Sequence, residues 1–137
     1  MKEAISAGII LFNENDTGRQ FLLLNYPTGH WDFIKGGIEH GENPRQTATR
    51  ETREETGITD IEFIDGFKEE IEYFFRVEKQ NVHKKVIFFL AKTKSKNVTL
   101  SHEHLDFVWL NYDDTLDKLT YDNAINLLKK SNSFLLS

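Results

Sequence analysis

Apolar positions along the chain fall into short runs separated by polar and turn-forming residues. The first, AISAGIILF at residues 4–12, is followed by the polar cluster NENDTG and then by FLLLNY, which predicts two strands around a turn or short loop. PTGHWDFIKGG, residues 27–37, mixes Pro, Gly and two aromatic residues without a period and predicts a loop closing on a short extended piece. Between Asn43 and Thr56 the pattern changes to NPRQTATRETREET. Pro44 stands where the first helical turn tolerates a missing N–H, and Gly57 where helices commonly stop, so a helix is expected over about residues 43–56. Ala48 is its only aliphatic residue, so it lacks the apolar stripe by which a surface helix normally docks, and its carboxylates are expected to be exposed.

Downstream, ITDIEFIDGF and KEEIEYFFRVEK predict two strands, HKKVIFFLAKT a third after a turn at KQN, and DFVWL a fourth. YDDTLDKL reads as a short helix, and TYDNAINLLKK has helical spacing at Ala124, Leu127 and Leu128. Strands interleaved with two or three helices, without repeats or low-complexity tracts, predict an α/β or α+β sandwich on a mixed sheet.

Composition adds limits. A chain of 137 residues, 39% hydrophobic and carrying eleven Phe, suits one domain over 1–137 with one core. A net charge of −5 disfavours broad nucleic-acid or membrane-surface contacts, but not small polyanions whose charge a metal ion neutralises locally. Without cysteine there are no disulfides, thiolate nucleophiles or cysteine-bound metals, which fits a cytoplasmic protein. Ala4–Phe12 is far shorter than a membrane span, and no other segment reaches that length, so a soluble protein is expected.

Residues 36–58 follow a fixed spacing: Gly36, five residues, Glu42, seven residues, Arg50-Glu51, two residues, Glu54-Glu55, one residue, Gly57-Ile58. At ordinary residue frequencies seven such matches arise by chance roughly once in 10^8 starting positions. Helical spacing puts Glu51, Glu54 and Glu55 on neighbouring positions, where like charges repel unless a proton or cation sits among them. Hard oxygen donors favour magnesium or manganese. Arg50, four residues before Glu54, can neutralise or orient one carboxylate. A solvated helix laced with salt bridges is the usual meaning of so many charges, and the flanking glycines argue against it here.

This spacing resembles the Nudix box, and the chain is identified on it as similar to Nudix hydrolases. The resemblance implies a Nudix-type α/β/α sandwich around a mixed β-sheet, and a loop–helix–loop that holds divalent cations, Mg2+ or Mn2+, against a pyrophosphate under attack by water. Glu51, Glu54 and Glu55 match the family's metal positions, Glu42 a supporting acidic one, and Arg50 an orienting one. Thr52 stands where the family is usually aliphatic, a departure expected to cost apolar packing.

Beyond the box, FLLLNY, GHWDFIKGGIEHGE, RETREETGI, GFKEEIEY, KKVIFFLA and LSHEHLDFVWL resemble, in order and spacing, the asymmetrically cleaving diadenosine tetraphosphate hydrolases. That likeness implies an adenine stacked between Tyr73 and Tyr121, and a phosphate chain faced by His30, Lys35 and Lys84, with Lys85 as the substitute if the strand register differs. Glu103 matches a distal carboxylate that joins the metal site or accepts a proton from water, a role for which Glu54 competes. His102 and His104 are given no metal role. Ile34 stands where the subfamily usually has proline, which leaves the shape of the preceding loop open. The expected partner is a small dinucleoside polyphosphate, handled by a monomer or small homo-oligomer. Removal of pyrophosphate from the 5′ end of RNA, or nucleotide binding without turnover, are the alternatives.

Overall fold

A computed structural model describes residues 1–137. The elements are β1 (Lys2–Asn15), β2 (Gly18–Asn25), β3 (Trp31–Asp32), β4 (Ile34–Gly37), α1 (Pro44–Thr56), β5 (Glu62–Val77), β6 (Gln80–Lys92), β7 (Asp106–Leu110), α2 (Tyr112–Lys118) and α3 (Asp122–Leu136). No helix is long and apolar enough to cross a membrane.

The apolar run of β1 becomes the centre of the sheet. On one edge it pairs in parallel with β6, and its other edge is shared by β4 and β2, both antiparallel. β5 pairs with β6, while β3 and β7 pair with β2, giving a mixed sheet of seven strands. The alternation of side chains along β1 divides the core in two. Ile10 and Phe12 point with Leu23, Phe88 and Leu90 towards Ala124, Leu127 and Leu128 of α3. Ile9 and Leu11 point the other way, with Leu22, Phe89 and Ile34, towards Ala48 of α1. Helices therefore cover both faces, as the α/β/α expectation requires.

One boundary differs from the sequence reading. The two strands expected over residues 58–79 are one long strand, β5, whose pairing with β6 shifts between Phe63 and Lys68. Gly66 in this irregularity resembles a strand terminator in sequence. In space the irregularity absorbs three extra residues of β5, five steps against two on β6, while the strand runs on.

α1 begins at Asn43, whose side chain accepts from Gln46 N while the Gln46 side chain accepts from Asn43 N. It ends at Gly57, whose φ of 76° suits a residue without Cβ. The missing greasy stripe is replaced by Thr47, Ala48, Thr52 and Thr56, all fully buried. A buried hydroxyl without a partner costs about 1–3 kcal/mol. Here Thr52 donates to Ala48 O at 2.8 Å, Thr56 to Thr52 O at 2.6 Å, and Thr47 to Glu42 at 2.8 Å. Thr52 thus packs its methyl inward and satisfies its hydroxyl within its own helix. Small residues on this face let α1 lie close to β1 and β4.

Far from α1's carboxylates, His83 of β6 ties three strands together, its Nδ1 2.7 Å from Glu3 of β1 and its Nε2 2.9 Å from Glu72 of β5. Those two carboxylates raise the His83 pKa above 6.5. Its contribution to stability is therefore complete below about pH 6.5 and is lost as pH rises through the elevated folded-state value. Urea midpoints of the wild type and His83→Gln should differ most at pH 6 and converge by pH 9. A difference independent of pH would refute the clip.

Candidate functional site

The loop before α1 and the helix itself are joined by one side chain. Arg50 sets its Nε 2.7 Å from Glu42, its Nη1 2.8 Å from Glu51 and 3.1 Å from Glu54, and donates through Nη2 to the Gly37 carbonyl at 2.9 Å. Glu39 lies 3.5 Å away. The sequence suggested one carboxylate partner, and the fold supplies four. Hydrogen bonds from Arg50 and from the Glu39 backbone hold the Glu42 pKa down at about 2, so Glu42 stays ionised and keeps the loop clamped.

The three helix carboxylates face different surroundings. Glu54 is half exposed and tied to Arg50. Glu51 lies against Gly36 of β4, where an added Cβ would stand 2.0 Å from its carboxyl carbon. Burial, then the negative charge of Glu55, push the Glu51 pKa up to about 7 against the opposing pull of Arg50. Glu55 is only 4% exposed, which corrects the expectation of solvent-facing carboxylates. It falls four residues after Glu51 and three after buried Thr52, on the inward edge of the helix.

A distant segment completes this end. Thr99 N donates to Thr56 O at 2.9 Å, Ser101 N to Glu55 O at 3.3 Å, and Leu105 N to Asn25 O at 2.9 Å. Residues 99–105 are thereby pinned across the end of α1, which brings Glu103 and His104 to Glu55, with ligand atoms of the three residues within 4.8 Å of one another. Glu103 is exposed and His104 is buried.

On the other side of β4 lies a cleft of about 710 Å3. It gathers all five residues assigned to substrate contacts: His30, Lys35, Tyr73, Lys84 and Tyr121. Register explains the choice of lysine. Lys84 pairs with Tyr73 and shares its face, whereas Lys85 points to the opposite face, 3.6 Å from Glu70. Burial and the neighbouring Lys35 lower the Lys84 pKa. Burial lowers the Lys35 pKa, but the Asp32 carboxylate at 3.0 Å, with Tyr73 and Tyr121, outweighs it and raises the value overall. Tyr121 precedes α3 beside His30, ring centroids 5.2 Å apart, because Trp31 N donates to Thr120 Oγ1 at 3.0 Å. Ile34, in place of proline, is a buried β4 residue paired with Ile9, so the position belongs to the core.

Three participants escaped sequence reasoning. Asp32 adjoins Lys35 only through the turn between β3 and β4. Tyr26 stacks on His30 with centroids 4.6 Å apart and also lines the cleft. His104 was passed over because one histidine beside another gives no sign of which ring turns inward.

Gly36 and Gly37 line the cleft, and Glu51 packs on the opposite side of Gly36. The Glu51 carboxyl thus lies against the backbone of β4 at a residue whose other side lines the cleft. The donor set suits a hard divalent cation: carboxylate oxygens dominate, and Glu55 Oε2 is buried without a hydrogen-bond partner.

A NUDIX domain model matches residues 2–130. The asymmetrical bis(5'-nucleosyl)-tetraphosphatase of Mus musculus is 35% identical, covering 96% of this chain and 95% of its own. A crystal structure of a C. elegans Ap4A hydrolase binary complex superposes with a TM-score of 0.85 at 32% identity, covering 97% of this chain and 98% of that one. An RNA pyrophosphohydrolase of Nitratiruptor sp. is 30% identical over less of both, 76% of this chain and 77% of its own. With its box, its sheet and nearly its full length matched, the chain belongs to the NUDIX family.

Proposed function

We propose that this chain hydrolyses diadenosine tetraphosphate asymmetrically, to ATP and AMP. The observation that carries the reading is one cleft lined by Tyr73, Tyr121, His30, Lys35 and Lys84, with the Glu51 carboxyl packed against Gly36 in its wall. The near full-length likeness to asymmetrical tetraphosphatases supports the substrate.

Tyr73 and Tyr121 offer flat faces to an adenine, a contact that tolerates different bases. Lys84 contributes a cation that the cleft does not neutralise, suited to a phosphate chain. Lys35 is steadied by Asp32 and adds a second cation nearer the carboxylates, and His30 contacts the chain between Tyr26 and Tyr121. Glu51, Glu54, Glu55 and Glu103 would hold Mg2+ or Mn2+. When bound, such ions offset phosphate charge and lower the pKa of water. Glu103, exposed and next to Glu55, is better placed than Glu54 to take a proton from the attacking water, because Glu54 is engaged by Arg50. Arg50 keeps Glu51 and Glu54 turned towards the site. The 5′ end of RNA remains the second substrate to test, given the RNA pyrophosphohydrolase likeness, but the net charge of −5 offers little to a longer nucleic acid. Retention of every box carboxylate favours turnover over a purely binding role. We also place the protein in the cytoplasm, as a monomer or small homo-oligomer.

Product analysis with Mg2+ across dinucleoside polyphosphates, nucleoside triphosphates and triphosphorylated RNA tests the reading directly. ATP and AMP in equal amounts are expected from diadenosine tetraphosphate, and Glu55→Gln should lower the rate at least 100-fold, a loss of about 2.7 kcal/mol in barrier lowering. Two ADP molecules, or an unimpaired variant, would defeat it.

Gly36→Ala separates stability from chemistry. The three atoms nearest its new Cβ all belong to the Glu51 side chain, at 2.0–2.5 Å, so the displaced carboxylate should cost proportionately more activity than melting temperature. Equal losses of both would show that Gly36 serves the fold alone.

Repulsion between Glu51 and Glu55 gives a third expectation. In chelator-treated protein at pH 7.5, Glu51→Gln should match or exceed wild-type thermal stability, and it should show a smaller stabilisation when Mg2+ is added. An unchanged Mg2+ response would remove Glu51 from the cation site.

A further inference from the structure

Glu55 is enclosed by protein, yet only one of its carboxylate oxygens is engaged. Oε1 lies 3.1 Å from His104 Nε2, an ion-pair contact outside hydrogen-bond geometry, while Oε2 and His104 Nδ1 are buried with no hydrogen-bond partner. The His104 side chain is 2% exposed and that of Glu55 5%, so water does not replace either contact.

His104 is itself held from several directions. Its backbone N donates to Ser101 O at 3.3 Å, and Leu105 N donates to Asn25 O at 2.9 Å, which pins the chain on both sides of the ring. The ring meets Tyr26 edge-on, centroids 4.6 Å apart and planes at 89°. Tyr26 in turn donates to Phe33 O at 2.6 Å. An imidazole fixed on this framework selects one rotamer of the carboxylate it touches.

We propose that His104 is a positioning residue for Glu55: by occupying Oε1 it leaves Oε2 as the oxygen offered to a divalent cation. It touches neither substrate nor the reacting atoms. Glu103 can act from an exposed position because its neighbour in sequence orders the buried carboxylate beside it. The inference rests on Glu55 being a cation ligand, as proposed above.

Mn2+ binding to the full chain, followed by the electron paramagnetic resonance signal of free Mn2+, tests it in wild type, His104→Leu, His104→Gln, His104→Asn and Glu55→Gln. Loss of an orienting partner weakens metal binding about 10–100-fold, and that loss is expected for His104→Leu. His104→Gln, whose amide N–H can reach Glu55, should recover most of the affinity, and the shorter His104→Asn should not. At saturating Mn2+ the KM for diadenosine tetraphosphate should stay near the wild-type value. If His104→Leu does not fold, the Gln and Asn variants decide. Wild-type Mn2+ affinity in the Leu or Asn variant overturns the proposal. So does a Gln variant as weak as Asn, which would make the imidazole nitrogen itself a ligand. Undiminished binding by Glu55→Gln would instead overturn the underlying assignment of Glu55, so the two failures are distinguishable.

Discussion

The arrangement depends on one guanidinium. Arg50 bridges Gly37 at the end of β4, and Glu39 and Glu42 of the loop, to Glu51 and Glu54 of α1, so a single rigid, permanently charged fork sets strand, loop and helix in register. Four carboxylates around one cation leave the cluster net negative. That residual charge makes the centre a place for a further cation. A lysine could match the charge but not the fork, because its donors converge on a point.

The second constraint is steric. Base-binding and cation-binding groups lie on opposite faces of β4, and a cleft with separate halves would be of no use to a dinucleoside polyphosphate. Gly36 narrows the separation to the thickness of the strand backbone, since a side chain there would occupy the space of the Glu51 carboxyl. The box glycine therefore lets Glu51 lie directly on the strand backbone that lines the cleft. Its partner across the strand pair, Ala7, is small as well, which keeps the neighbourhood clear.

Much of this is legible in residue order. α1 is announced by Asn43, Pro44 and Gly57, because caps are local chemistry, and Lys84 follows from side-chain alternation once β6 is recognised. Legibility fails where the decisive contact is distant in sequence. Glu55 reads as a solvent-facing charge because its covering segment, residues 99–105, lies more than forty positions away along the chain. His104 is indistinguishable from His102 until that segment is docked. The bulge at Gly66 misleads for a different reason, since a glycine that ends a strand and one that kinks a continuing strand have the same local composition.

Burial of Glu55 also bears on why α1 carries threonine where apolar residues are expected. An aliphatic inner face would pack more strongly, but it could not accommodate a carboxylate at its edge without leaving it among groups that give nothing back. Thr47, Thr52 and Thr56 satisfy their own hydroxyls within the helix or with Glu42, so they make no claim on Glu55. The docking face is thus apolar enough to bury and leaves the carboxylate to His104 on one side. Its other oxygen is then held in place and unsatisfied, which is the condition in which a cation contributes most to both stability and chemistry. A helix that seems poorly made for packing is, on this account, made so that its packing ends in a site.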